Sequence, residues 1–194
     1  MIILNLPLPT SFMQLRSVLG HIGYYSKFIR GYVVITAPME KLLKKDAKFH
    51  WTAACQESLH KLKKAMATAP ILVFPDWKEF HVHIDSLSVV LGIVLTQPGE
   101  GALDHPIAFA SRKLSTIENN YTTTEREGLA MVYALQKFQH YLLGGNFQMY
   151  THHSTLIYLV NKPVLGGKTC RWLLLFQEFD FEVIFKPGRL NVGS

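Results

Sequence analysis

The stretch that most constrains the fold is Phe80-His81-Val82-His83-Ile84-Asp85, followed by the apolar run Val89–Gln97. Phe80, Val82 and Ile84 alternate with His81, His83 and Asp85, and a period of two places the first set on one face of a strand and the second set on the other. The pair of runs therefore predicts a strand that ends on a carboxylate, a turn, and a second strand. A third strand-like run covers Pro106–Lys113, and Gln97-Pro98-Gly99-Glu100-Gly101 carries the turn chemistry of a hairpin. The expected product is an antiparallel meander.

The period then changes. Thr122-Thr123-Thr124-Glu125-Arg126-Glu127 opens a helix expected to reach Leu143, with Met131, Leu135, Phe138 and Leu142 as its buried stripe and Gly144-Gly145 as its stop. Phe147–Thr151 reads as a strand, Leu156–Val160 and Lys168–Phe179 as helices, and Phe181–Phe185 as a last strand closed by Pro187-Gly188. A meander followed by strands separated by helices predicts an α/β fold, a mixed sheet with helices on its faces.

The region before this is helical and basic. Thr10 or Ser11 can cap a helix whose apolar positions are Phe12, Leu15, Val18, Leu19 and Ile22, and Gly20 and Gly23 predict a bend or a break in it. Tyr24-Tyr25-Ser26-Lys27-Phe28-Ile29-Arg30 mixes rings and cations, which suits a nucleic-acid backbone. The plainer reading puts Tyr25, Phe28 and Ile29 in the helix core, with Lys27 and Arg30 on the solvated face. Pro38 is expected in the first turn of a short helix, Met39–Lys44, and Thr52 caps a longer one running to about Thr68. Lys41, Lys44, Lys45 and Lys48 form a basic cluster.

Composition narrows the function classes. At 48% hydrophobic and 18% charged residues, the 194-residue chain is globular and large enough for one large domain or two small ones. A net charge of +6 and a pI near 9.3 favour a polyanionic partner, and nucleic acid ranks before membrane because no basic amphipathic anchor stands out. Cys55 and Cys170 form neither a CxxC pair nor a secreted-type framework, which points to a reducing, intracellular compartment, cytoplasm or nucleus. The short apolar start, broken by Pro7 and Pro9, is neither signal peptide nor span, and it reads as the start of a segment cut from something longer.

Two ordered sets of motifs carry a resemblance. Leu19-Gly20, Tyr24-Tyr25, Phe28-Ile29, Ala37-Pro38, Leu42-Leu43, Phe49-His50-Trp51-Thr52 and Ala69-Pro70-Ile71-Leu72 resemble the thumb and following linker of a gypsy-type LTR-retrotransposon reverse transcriptase. Phe80–Asp85, Pro106–Leu114, Asn120-Tyr121, Glu125–Ala130, Tyr141-Leu142, Trp172-Leu173, Gln177–Phe181 and Pro187-Gly188 resemble its ribonuclease H domain. The resemblance implies a ribonuclease H-like five-stranded mixed sheet with flanking helices over 71–194, preceded by a small all-α thumb-like segment over 1–70.

It also implies a chemistry. In that family, carboxylates hold two divalent metals, Mg2+ or Mn2+, that hydrolyse the RNA strand of an RNA–DNA hybrid. Asp85 matches the first acid and Glu127 the second. His152 stands where the third belongs, and the fourth is expected beyond Asn191-Val192, where the chain ends at Ser194. No Tyr-x-Asp-Asp-like polymerase pair is present.

Each residue has a plainer explanation as well. Thr124-x-x-Glu127 fits a capping box, and Asp85 can cap the turn at Ser86. His152 can ligate a softer metal together with His83, Asp85 and Glu127, or hold none, and His153 reads as a surface residue. Two functions follow as expectations. The first is an impaired pseudoenzyme that binds nucleic acid or a protein partner. The alternative is an active ribonuclease H with a two-metal mechanism. Expected phosphate contacts are Lys27, Arg30, Lys41, Lys44, Lys45, Arg112 and Lys113.

Overall fold

The computed structural model describes residues 7–68, 75–86, 88–99, 103–154, 156–157, 160 and 168–186. The chain falls into two compact units. One comprises the residues up to Ile71 together with Phe109–Ser111, and the other comprises Leu72–Ala108 and Arg112 onward.

The first unit is built from helices α1 (Phe12–Tyr24), α2 (Tyr32–Leu42) and α3 (Ala53–Ala67). Ser11 is the N-cap of α1, its side chain accepting from the Gln14 amide, and Thr52 caps α3 by accepting from the Cys55 amide. The stripe Leu15, Leu19 and Ile22 meets Ile29, Met39, Cys55, Leu59 and Leu62 in one apolar cluster. Two expectations are corrected here. The glycines do not break α1, which runs through Gly20 and Gly23 to Tyr24 before a short 3-10 turn, Ser26–Phe28. Each helical glycine costs about 1 kcal/mol, less than the burial of Leu19 and Ile22 on either side contributes. The second helix starts at Tyr32, well before Pro38, which lies in its interior. Gly31 opens it in a left-handed conformation (φ 67°) that favours glycine.

The second unit contains the sheet. Its strands are β1 (Phe80–Ser86), β2 (Val90–Pro98), β3 (Asp104–Lys113), β4 (Asn146–Thr151) and β5 (Asp180–Phe185), in the order β3-β2-β1-β4-β5. β1 is antiparallel to β2, with Asp85 opposite Gly92, His83 opposite Val94 and His81 opposite Thr96. β1 and β4 are parallel, as are β4 and β5. The mixed five-stranded sheet is the one expected.

Helix α4 (Thr123–Leu142) packs on β1 and β2, and α5 (Lys168–Phe176) packs against α4. Val82, Ile84, Leu91, Ile93 and Leu95 from the sheet and Met131 and Leu135 from α4 are all at most 2% exposed. The alternation in β1 is as the sequence requires: Phe80, Val82 and Ile84 are buried, His81 and His83 are half-buried, and Asp85 is exposed. Of the helix expected over Leu156–Val160, the described residues Leu156, Ile157 and Val160 are helical.

Candidate functional site

Helix α4 brings a carboxylate under the ends of two strands. Its N-cap is Thr122, not Thr124. The Thr122 hydroxyl accepts from the Glu125 amide at 3.2 Å, and the Glu125 carboxylate accepts from the Thr122 amide at 2.9 Å, closing a reciprocal capping box. The capping explanation of Glu127 is thereby corrected. Thr122-x-x-Glu125 has the same spacing, and the helix begins two residues earlier than the Thr124 box requires.

Glu127 is thus free of the helix terminus and turns inward, where it is 2% exposed. Two hydroxyls satisfy it. Ser86 at the end of β1 donates to Oε1, and Thr151 at the end of β4 donates to Oε2 at 3.1 Å. Thr151, itself 1% exposed, also accepts from the His153 amide at 3.1 Å. A buried carboxylate with no hydrogen-bond donors would cost several kcal/mol. Here a hydroxyl meets each oxygen, so neither is left without a partner.

Asp85 stands one residue before Ser86 and is exposed at the strand end. It is Ser86, not Asp85, that touches Glu127. His152 follows Thr151, and its Nδ1 lies 2.8 Å from the Lys186 carbonyl oxygen. A carbonyl only accepts, so Nδ1 carries the proton in this contact. His153 is half-buried.

The sequence left open a site of His83, Asp85, Glu127 and His152, but the structure does not assemble it. His83 instead directs Nε2 to Asp104 at 2.8 Å. Among the described residues, the His, Cys, Asp and Glu groups whose ligand atoms all lie within 4.8 Å of one another are His81, His83 and Asp104. Asp85, Glu127 and His152 do not form such a group.

The basic candidates differ in their surroundings. Lys27, Arg30, Lys41, Lys44 and Lys45 in the first unit are exposed, and Lys27 Nζ sits 5.2 Å from the Phe28 ring centre. Tyr24 and Tyr25 are 79% and 46% exposed and meet edge to face, while Ile29 is buried. The core reading therefore holds for Ile29 and is corrected for Tyr25, because the helix ends at Tyr24 and the chain turns the ring outward. In the second unit Lys113 is exposed. Arg112 grips Glu118 with two parallel bonds of 2.8 and 2.9 Å, and its guanidinium lies 5.4 Å from the Tyr133 ring centre. The bond from Arg112 pulls the Glu118 carboxyl down to about 2, against partial burial. The Arg112 charge is thus already answered inside the fold.

Sequence reasoning missed Ser86, Thr151 and Asp104. Ser86 and Thr151 each adjoin a motif position, Asp85 and His152, which is a local signal. Asp104 had none, since β3 was expected to start at Pro106 and the pairing crosses β2.

A sheet ordered β3-β2-β1-β4-β5, with a buried helix carboxylate held between the ends of β1 and β4, is a ribonuclease H-like arrangement. The family described as "RNase H-like domain found in reverse transcriptase" matches residues 51–149, and the chain belongs to it. It is 39% identical over 192 residues to the retrovirus-related Pol polyprotein from transposon 297 of Drosophila melanogaster, covering 97% of this chain and 18% of that protein. It is 31% identical over 188 residues to the transposon Tf2-3 polyprotein of Schizosaccharomyces pombe, covering 94% of this chain and 14% of that one. The chain therefore spans less than a fifth of the length of these relatives.

Among solved structures, the foamy viral protease-reverse transcriptase in complex with RNA/DNA hybrid superposes with a TM-score of 0.80 at 22% identity, covering 100% of this chain and 27% of that one. The dRH form in complex with double-stranded DNA gives 0.79 at 21% identity, covering 95% and 34%. At this identity the likeness establishes the fold.

Proposed function

We propose that this chain is a nucleic-acid-binding segment of a gypsy-type retrotransposon reverse transcriptase whose ribonuclease H-like unit is impaired in cleavage. On this reading residues 1–70 are thumb-like and 71–194 form the ribonuclease H-like domain. The observation that carries it is the donor set at the ends of β1 and β4. Hard divalent cations such as Mg2+ and Mn2+ take oxygen ligands, and each carboxylate lost removes a full negative charge from a centre that must hold two of them. Asp85 and Glu127 supply two carboxylates, while His152 brings no negative charge in either protonation state and is directed to the Lys186 carbonyl. These residues do not fit a two-metal centre.

Binding is supported by other observations. The exposed cations Lys27, Arg30, Lys41, Lys44 and Lys45 and the outward rings Tyr24 and Tyr25 combine phosphate pairing with stacking surfaces. Solved relatives of this fold were captured with double-stranded DNA and with RNA/DNA hybrid. Among the described residues no helix is long and apolar enough to cross a membrane.

The test incubates the purified chain with a labelled RNA–DNA hybrid in Mg2+ and then in Mn2+. The expected result is binding without cleavage, with His152→Asp gaining cleavage in Mg2+. Cleavage by the natural chain that Asp85→Asn abolishes would show an active ribonuclease H and overturn the impaired reading. Salt-independent or undetectable association with the hybrid would redirect the search to a protein partner.

A further inference from the structure

The outer face of β1 carries a second group of side chains, separate from the Glu127 cluster. His81 and His83 are two residues apart and so share a face. Asp104, at the start of β3, reaches them across β2. Its Oδ2 lies 3.0 Å from His81 Nδ1 and 2.8 Å from His83 Nε2, and its Oδ1 lies 3.1 Å from His81 Nδ1. Thr96, opposite His81 in the ladder, donates to the same Oδ2 at 3.1 Å.

We propose that His81, His83 and Asp104 form a binding site for a divalent transition metal of the zinc type, with an open coordination position. The chemistry of the donors selects the metal. Imidazole nitrogens suit Zn2+, Co2+ and Ni2+ and are poor ligands for Mg2+ and Ca2+. Two histidines and a carboxylate also form a familiar three-ligand set that leaves room for water or an incoming group.

The geometry is close to what the metal needs. Ligand bonds of about 2.0–2.1 Å in a tetrahedron place neighbouring ligand atoms about 3.3 Å apart. The two nitrogen–oxygen edges, at 2.8 and 3.0 Å, need to open only slightly, and all three ligand atoms already lie within 4.8 Å of one another.

The surroundings hold the rings in place. Tyr150 on β4 stacks on His83, with centres 4.8 Å apart and planes 12° apart, and meets His81 edge-on at 5.2 Å. Rings fixed in this way lose little freedom when they ligate. His81 Nε2, the nitrogen facing away from the site, has Glu79 Oε1 3.8 Å away. At that distance the contact is electrostatic and longer than a hydrogen bond. Three side chains, His81, His83 and Thr96, already converge on the Asp104 carboxylate. The side chains of His81, His83 and Asp104 keep 13%, 19% and 25% exposure, which gives an ion a path in.

The site is independent of cleavage at Asp85 and Glu127, and it has its own test. The whole chain, freed of metal by a chelator, is titrated with Co2+ and followed by its visible absorption. One equivalent is expected to bind with a four- or five-coordinate spectrum and to be displaced by one equivalent of Zn2+. His83→Asn and Asp104→Asn, checked for fold by circular dichroism, are expected to weaken binding by about 100-fold or more, whereas Asp85→Asn leaves the spectrum unchanged. Ring-nitrogen NMR of the natural chain gives a readout that needs no variant: Zn2+ should shift His81 Nδ1 and His83 Nε2. The proposal is overturned by any of three results: no stoichiometric Co2+ binding, a spectrum that survives in folded His83→Asn and Asp104→Asn, or zinc-induced shifts confined to other histidines.

Discussion

Thr151→Val tests whether Glu127 is held as a buried charge between two strands. Valine matches threonine in shape but removes the hydroxyl. That hydroxyl donates to Glu127 Oε2 at 3.1 Å and accepts from the His153 amide at 3.1 Å. A hydrogen bond to a charged group is worth about 1.5–3 kcal/mol and a neutral one about 0.5–1.5 kcal/mol. The site is almost fully buried, so water cannot replace either partner. The expected loss is about 2–4 kcal/mol.

A second variant isolates the charge. Glu127→Gln keeps the length and polarity of the side chain, and its amide can still bond both hydroxyls, so the Thr151 bond falls to the neutral range. Thr151→Val should then cost about 1–2 kcal/mol less in the Glu127→Gln background than in the natural chain. Because the chain has two compact units, a single melting temperature would blend them. Native-state hydrogen exchange at the β1 and β4 amides reads the sheet alone. An equal loss in both backgrounds, or a loss below about 0.5 kcal/mol in the natural chain, would refute the view that Thr151 holds a charged Glu127.

Two further outcomes are expected. Glu118 is pulled from its ordinary value of 4.5 to about 2 by Arg112, and Asp104 is held low by His81 and His83 against its burial. A carboxyl lowered by folding stabilises the native state above its unfolded pKa, and that contribution is lost as pH falls toward the folded one. Stability should therefore drop between about pH 4.5 and pH 2, and Arg112→Met should make the drop shallower, as followed by urea unfolding at stepped pH; an unchanged slope would count against the pairing. Lys44→Gln with Lys45→Gln should weaken hybrid binding and flatten its log–log salt dependence by about 1–2, since each lost phosphate contact removes about 0.9 from the slope. Fluorescence anisotropy across a salt series checks this, and an unaltered slope would place the contacts elsewhere.

Several features were legible from the residues because their causes are local. The order of strands and helices follows from period-two and helical spacing, the caps from Ser11 and Thr52, and the inward set Phe80, Val82 and Ile84 from alternation alone. The motif series around Glu125–Ala130 and Pro106–Leu114 pointed to the family that the comparison establishes. Local signals also misled where two had equal standing. Thr122-x-x-Glu125 and Thr124-x-x-Glu127 share one spacing, and only the helix start at Thr123 decides between them. Pro38 marks a plausible helix start, yet α2 begins at Tyr32, because packing of Met39 and Thr36 in one continuous helix outweighs the lost proline amide.

The sequence by itself determined the element order, the family and the places where acids stand, Asp85 and Glu127. Tertiary structure alone decided what those acids and histidines touch. Ser86 and Thr151 meet Glu127 because parallel pairing of β1 and β4 lays their ends side by side over α4. Asp104 meets His81 and His83 because β2 intervenes at a register that places Thr96 opposite His81. The physical reason is that a strand's own residues specify its two faces, while strand pairing and register, set by burial of the whole sheet, specify which side chains from distant segments share a face.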